Sequence, residues 1–172
     1  MRWILDNGHG ISTKGKRGTK LKEWKFNREV VRYLSIWLDK HNIDYQILVP
    51  ELNDIPLKER KLRIDGDILI SIHGNAFSDP KVSGLETWYH REDSLELARI
   101  FQQELCKELK WNNRGVKKGN FSMIKTKIPS ILTENGFYTN PREQGLMLYK
   151  PDRIAKAHLK AIIRYEKIQS KN

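Results

Sequence analysis

The chain has 172 residues, which is enough for one domain and too few for two of ordinary size. Lys and Arg outnumber Asp and Glu by 32 to 21, and 38% of the residues are hydrophobic, a balance typical of globular proteins. The single cysteine, Cys106, excludes an intrachain disulfide. No apolar run approaches the roughly 20 residues of a membrane helix. Because a predicted strand begins at Trp3, we expect no secretory signal peptide.

Short β-like runs alternate with amphipathic helical stretches in the first half of the chain, the pattern of an α/β protein. Trp3–Leu5 predicts the first strand, and apolar residues at helical spacing predict a helix over about 23–41. A strand at 45–49 and a short helix at 57–62 follow. The next strand, Asp67–Ile72, is apolar on both faces, as a central parallel strand requires.

The second half of the chain continues the alternation. It predicts a strand at 84–89, a helix at 95–109, two short strands at 121–124 and 130–133, and a C-terminal helix at about 152–168. Parallel neighbours need a crossover of a dozen or more residues, and only about five separate the two short strands. We therefore predict that these two strands pair as an antiparallel hairpin.

Together these elements predict one domain over residues 1–172. We expect an α/β fold in which helices cover both faces of a mostly parallel, twisted sheet of about six strands. The C-terminal ends of the parallel strands should form the functional edge, because sites in open α/β sheets lie there.

The net charge of +11 is concentrated in two segments. Residues 12–28 and 107–127 each carry seven Lys or Arg against one Glu, and no other acidic counterpart is evident near either cluster. Such clusters favour a polyanionic partner such as nucleic acid, an anionic cell-wall polymer or a membrane surface. The predicted strand order places both clusters on the rim of one opening. The chain has no nucleic-acid-binding motif or aromatic stacking set, which argues against nucleic acid.

Four side chains that could bind a metal or transfer a proton are predicted to converge at the functional edge. His9, His73 and Glu134 follow predicted parallel strands, each within two residues of a glycine, and Glu23 opens the first helix. Each alone has a structural explanation, such as capping a helix or packing. Together they match a catalytic zinc site in which two imidazoles and one carboxylate bind the metal. The remaining carboxylate would serve as general base.

The chain resembles the zinc-dependent N-acetylmuramoyl-L-alanine amidases of the amidase 3 type along nearly its whole length. The segments that carry the resemblance are Ile4–Gly10, Glu23 with Asn27, Ile70–Ala76, Gly84–Tyr89, Arg114–Lys117, and Pro129–Phe137 with Thr139 and Asn140. The chain departs from the family pattern, which usually has proline where Asn7 stands and glycine where Ile11 stands. The segment from Arg60 to Asp67 also looks shortened, and an arginine common in the family after the second strand is absent.

The resemblance implies a function for each matched residue. His9, Glu23 and His73 would bind zinc, and Glu134 would be the catalytic base. Asn75 could contact the substrate, with a plain turn residue as the alternative. The implied reaction is hydrolysis of the amide between N-acetylmuramic acid and L-alanine in peptidoglycan, which degrades the cell wall.

A lone basic amidase without a signal peptide further resembles a phage endolysin. Such an enzyme is made in the host cytoplasm and acts at the wall after release through a holin, causing lysis. We expect a monomer whose basic rim contacts anionic wall polymers, and no membrane span. The alternatives are another zinc peptidase or deacetylase acting on the wall, or a non-catalytic basic module that binds the wall or nucleic acid. Retention of Glu134 argues against the module, because binding alone needs no base.

Overall fold

The structure is a computed structural model that describes residues 1–13, 15 and 21–171. Its described part contains six β-strands: β1 (Trp3–Asn7), β2 (Tyr45–Ile47), β3 (Ile68–Asn75), β4 (Leu85–Tyr89), β5 (Asn113–Lys118) and β6 (Ser130–Phe137). The α-helices are α1 (Glu23–Lys40), α2 (Leu57–Leu62), α3 (Leu95–Leu109), α4 (Pro141–Tyr149) and α5 (Pro151–Gln169). Single 3-10 turns occupy Glu92–Ser94 and Ser122–Ile124.

The strands form one sheet in the order β2-β1-β3-β6-β4-β5. β1, β2, β3 and β6 run parallel, whereas β4 pairs antiparallel with β6 and parallel with β5. The C-terminal ends of β1, β3 and β6 therefore meet the N-terminal ends of β4 and β5 at a single edge. The predicted single-domain α/β fold with a mostly parallel six-stranded sheet is confirmed.

The two faces of the sheet are covered unequally. Alternate residues of a strand point to opposite faces, so Ile70 and Ile72 join the core formed with α1, α3 and α5, whereas Leu69 joins a smaller cluster on the other face. That second face, which we call the site face, is covered by α2 and the 3-10 turn at Ser122–Ile124, whose Met123 is buried there. None of the described helices combines the length and apolar composition needed to cross a membrane.

The predicted hairpin is wrong. Residues 122–124 form a 3-10 turn, and β6 pairs with β3 on one side and β4 on the other. The antiparallel pair of the sheet is β4 with β6. A short apolar run fits a helical turn as well as a strand, and Met123 and Ile124 are buried as a turn lying on the sheet.

Two elements were not predicted from the sequence. β5 carries one large apolar residue, Val116, because it is an edge strand, where lysines are tolerated and limit unwanted pairing. The helix α4 has a clear start signal instead: the Asn140 side chain accepts hydrogen bonds from the backbone N–H groups of Arg142 and Glu143, and Pro141 occupies the first turn.

Candidate active site

A cavity of about 440 Å³ lies on the site face at the C-terminal ends of β1, β3 and β6. Apolar side chains form one part of its lining: Leu57, Phe121, Met123 and Leu132. The polar part includes Ser122, Tyr138 and the five residues that the sequence predicts for the site: His9, Glu23, His73, Asn75 and Glu134. The structure thus brings every predicted site residue to one concave surface.

His9, Glu23 and His73 form the tightest group in the cavity. One nitrogen or oxygen of each lies within 4.8 Å of the others, a spacing that a single metal ion could bridge. Glu23 Oε1 is 2.9 Å from Nδ1 of His73 and 3.4 Å from Nε2 of His9. The two imidazole rings meet edge to face with centroids 5.2 Å apart. Two imidazoles and one carboxylate facing a common point are a donor set that suits zinc.

The backbone at the end of β1 is shaped to present His9. His9 adopts a left-handed conformation with φ of 66°, which non-glycine residues rarely take. Gly8 lies so close to His73 that a Cβ at this position would stand 2.1 Å from the imidazole Cε1. Asn27 from α1 donates to the Gly8 carbonyl over 2.9 Å. This turn therefore requires glycine at position 8 and is stabilised by the hydrogen bond from Asn27 of α1.

A buried network of ion pairs also stabilises the turn at Gly8 and His9. Arg60, on α2, is 1% exposed, and its guanidinium Nη1 lies 2.6 Å from Asp6 Oδ1. Its Nη2 contacts Asp54 Oδ1 and donates to the His9 carbonyl over 3.3 Å. The second Asp6 oxygen accepts from the Ser71 hydroxyl at 2.5 Å. Because one guanidinium contacts both the sheet and the His9 carbonyl, the backbone of His9 is anchored to a rigid element.

Glu23 is buried at the first turn of α1, where its charge is set by its neighbours. Burial alone would raise the pKa of Glu23, but hydrogen bonds and charge attraction from His73 and His9 outweigh it and hold that pKa well below its usual range. The Tyr138 hydroxyl donates to Glu23 Oε2 over 3.0 Å. Glu23 therefore stays a carboxylate with both oxygens oriented, as an anionic ligand requires.

Glu134 lies in β6 and lines the cavity next to the proposed ligands. Its backbone pairs with His73 on β3 and with Glu86 on β4. The β3–β6 ladder changes register between His73 and Asn75, and the Asn135 side chain donates to the His73 carbonyl over 2.9 Å at this irregularity. The irregularity lies where His73, Asn75 and Glu134 reach the cavity.

Asn75 ends β3 with its side chain held at both ends. Its Nδ2 donates to Glu86 Oε1 over 2.7 Å, and its Oδ1 accepts from the Ala76 backbone N–H at 2.8 Å. Asn75 therefore stabilises the turn after β3 and also lines the cavity. Its contact with substrate stays a prediction.

The predicted placement of the basic segment 107–127 on a single rim is wrong for part of the segment. The segment crosses from the site edge to the opposite end of the sheet, because β5 runs antiparallel to β6. It also has acidic counterparts: Glu86 pairs with Arg114 and Lys117, and Glu92 pairs with Lys118.

Two lysines of that segment lie away from the cleft. Lys125 and Lys127 line a separate cavity beside Gly66 and Ile128, which precede β3 and β6. In the other basic segment, 12–28, four of the seven cations, Lys14, Lys16, Arg17 and Lys20, lie outside the described residues.

Sequence reasoning missed three residues that organise the site: Arg60, Tyr138 and Glu86. Arg60 lies among charged residues on a short helix, so the sequence predicts that its side chain is exposed to solvent. The available signal was Asp6, a charge at the end of an otherwise apolar strand. A buried carboxylate requires a cation or hydrogen-bond donors, so Asp6 could have indicated a buried basic partner.

Removing the Arg60 guanidinium should leave Asp6 buried without its charge partner. We expect Arg60→Met to lower the free energy of unfolding by about 3–5 kcal/mol, the usual cost of breaking a buried ion pair from one side. Urea unfolding followed by circular dichroism measures it. The matched control is Arg63→Met, which removes exposed ion pairs to Glu51 and Glu59 and should stay close to wild type. Equal stability of the two variants would show that the network is not needed for the fold.

Comparison with known proteins identifies a family and several relatives of this chain. The N-acetylmuramoyl-L-alanine amidase family, amidase 3, matches residues 4–164. A probable cell wall amidase, LytH, from Staphylococcus saprophyticus is 26% identical over 151 residues, which cover 86% of this chain and 51% of that protein. The chain thus spans about half the length of the curated staphylococcal relatives that it matches.

Two solved amidase structures share the fold. The catalytic domain of CwlV from Bacillus (Paenibacillus) polymyxa superimposes with a TM-score of 0.91 at 24% identity, covering 96% of this chain and 98% of that one. The N-acetylmuramoyl-L-alanine amidase from Clostridium difficile 630 gives a TM-score of 0.88 at 29% identity, covering 96% of each chain. On the match over residues 4–164, the chain belongs to the N-acetylmuramoyl-L-alanine amidase family.

Proposed function

We propose that this chain is a zinc-dependent hydrolase that cleaves the amide between N-acetylmuramic acid and L-alanine in peptidoglycan. The observation that carries the proposal is the meeting of His9, Glu23 and His73 within 4.8 Å of one another, in the cavity that Glu134 also lines. Membership of the amidase family and likeness to a probable cell wall amidase support the substrate.

The three side chains fit zinc by their chemistry. Imidazole nitrogen and carboxylate oxygen are common zinc donors, and a set of three protein ligands without cysteine is typical of catalytic sites. Glu23 contributes the negative charge, and its second oxygen is engaged by Tyr138, which leaves Oε1 directed at the two imidazoles. When bound, zinc supplies a Lewis acid that polarises the amide carbonyl and makes a nearby water a stronger nucleophile.

Glu134 is proposed to move the protons of the reaction. As general base its carboxylate takes a proton from the attacking water, and as general acid it returns that proton to the leaving nitrogen of L-alanine. Its place on β6, paired on either side with β3 and β4, keeps this carboxylate on a rigid element beside the ligands. The bond between the carbonyl carbon and the nitrogen breaks, and the products are a free carboxylic acid and a free amine.

The nature of the new end group tests the reaction. We expect digestion of purified peptidoglycan to release the amine of L-alanine. Glu134→Gln should keep the fold and lose about two to four orders of magnitude in rate, the usual contribution of general acid–base catalysis. Amine labelling followed by mass spectrometry identifies the new end group and, followed over time, gives the rate of each variant. Cleavage at another amide, or loss of an acetyl group, would favour the peptidase or deacetylase alternative. An absence of products would favour a binding module.

Metal content tests the ligand assignment independently of activity. We expect one zinc per chain in protein purified without chelator, and much less in His73→Ala, because one of three ligands is lost. His41→Ala is the matched control, since His41 is an exposed imidazole at the end of α1. Elemental analysis by mass spectrometry gives the ratio. Equal zinc in His73→Ala and wild type would remove His73 from the assignment.

We also propose that basic groups away from the cleft attract anionic wall polymers. Lys61, Lys125 and Lys127 surround a cavity of about 610 Å³ between α2 and the loop before β6. Among the described residues, none of these three ammonium groups forms an ion pair, and Lys61 donates to the Lys125 carbonyl over 3.1 Å. Three cations that no carboxylate within the described ranges pairs with support attraction of a polyanion.

Charge reversal distinguishes the effect of these three lysines on wall binding from the effect of the overall net charge. We expect the triple variant Lys61→Glu, Lys125→Glu, Lys127→Glu to lose salt-sensitive sedimentation with intact cell walls, because surface attraction is screened over about 8 Å at physiological ionic strength. Reversal of Lys156, Lys167 and Lys171 alters net charge equally on the exposed surface of the C-terminal segment. Equal loss in both variants would assign the effect to overall charge.

The lytic role is a further proposal that rests on the resemblance to phage endolysins. In it the chain is made in the host cytoplasm and acts on the wall after release. Expression in a host with and without a co-expressed holin tests it. Lysis only when the holin is present is the expected result, and lysis that does not depend on the holin would contradict it.

A further inference from the structure

A charged cluster that the reaction chemistry does not use adjoins the cleft on its β4 side. Glu86 is buried, and its Oε1 accepts from Asn75 Nδ2 at 2.7 Å. Its Oε2 lies 3.3 Å from Arg114 Nε and in contact with Lys117 Nζ. We call these three ionic groups the Glu86 cluster. One carboxylate faces two cations, so the cluster carries a net positive charge.

The cations of the cluster are positioned yet accessible. Arg114 and Lys117 are 36% and 34% exposed at their side chains, whereas Glu86 is 6% exposed. Glu86 is the partner of both ion pairs that these cations form among the described residues. A buried carboxylate therefore fixes two half-exposed donors on the edge strand β5, an arrangement that can receive a second carboxylate from solvent.

Two cleft residues flank this cluster. Asn75 lines the cavity and is bonded to Glu86. Lys117 Nζ lies 5.2 Å from the centre of the Trp88 ring, and Trp88 packs edge to face on Phe121 at 5.1 Å, which also lines the cavity. The positive charge is thus continuous with the cleft wall rather than part of the remote surface.

The register of the sheet places the carboxylate residue of the cluster, Glu86, beside the proposed base. Glu86 and Glu134 are direct partners across β4 and β6, and partners in an antiparallel pair have Cα atoms about 4.5–5.5 Å apart. Lys117, on the next strand β5, contacts the Glu86 carboxylate, so Glu86 lies between Glu134 and the cations of the cluster. Consecutive residues of a peptide have Cα atoms about 3.8 Å apart. A peptide whose first nitrogen lies at Glu134 would therefore bring the next residue to the cluster.

We propose that Arg114 and Lys117 form a subsite for the free carboxylate of the residue that follows L-alanine in the substrate peptide. This inference rests on the proposed amidase function and specifies the substrate class: stem peptides whose second residue keeps a carboxylate, in preference to stems that carry a carboxamide there. The carboxylate gains charge-assisted hydrogen bonds from both cations, whereas a carboxamide gains none of the charge attraction.

Two soluble muramoyl dipeptides that differ only in this group test the subsite. We expect wild type to cleave the free acid with a kcat/KM about tenfold or more above that of the carboxamide, the usual range for hydrogen bonds to charged groups. Lys117→Met should lower kcat/KM strongly for the acid and much less for the carboxamide, so the preference collapses. Lys117→Arg keeps the charge and should retain the preference.

Lys118→Met is the matched control, because Lys118 is the next residue of β5 and pairs with Glu92 instead. It should keep the wild-type preference. Equal rates of wild type on the two substrates, or a Lys117→Met variant that loses equally on both, would overturn the subsite and leave the amidase function standing. Cleavage of neither substrate by zinc-loaded wild type would contradict the amidase function, and the subsite with it.

Discussion

The guanidinium of Arg60 links the interior of the sheet to the turn that presents His9. It neutralises Asp6 within the sheet, contacts Asp54 in the segment before α2, and donates to the His9 carbonyl. A buried cation between two carboxylates is stable only when the geometry satisfies all three groups, because each isolated charge would be costly to bury. The left-handed turn at His9 is therefore fixed by the same contacts that hold α2 on the site face.

Hydrogen bonds from neighbouring side chains also orient the other two candidate ligands, Glu23 and His73. Glu23 is held through one oxygen by Tyr138, which leaves the other oxygen for the imidazoles. The His73 carbonyl is held by Asn135 at the β3–β6 irregularity. Hydrogen bonds behind each ligand reduce the reorganisation needed when a metal binds. The site is thus built on strands and a helix start, with the His9 turn as its loop element.

The sequence was sufficient to predict the fold class and the convergence of the site residues, because both follow from local signals. Apolar runs locate the central strands, and polar residues after parallel strands must meet at one edge. Part of the basic segment 107–127 was misplaced for a different reason. Its position depends on β4 and β5 running opposite to β6, and that pairing is a long-range choice which local pattern does not encode. Arg60 and Glu86 were missed likewise, since only tertiary packing reveals that these charged side chains are buried.

In the proposed function, the turn after β1, the start of α1 and the end of β3 together hold one zinc ion. X-ray absorption at the zinc edge, recorded on protein purified without chelator, reports the ligands of that ion directly. We expect two imidazole nitrogens and oxygen donors around the zinc, with one of the oxygens from Glu23. Sulfur scattering from Cys106, or a shell with fewer than two imidazoles, would contradict it.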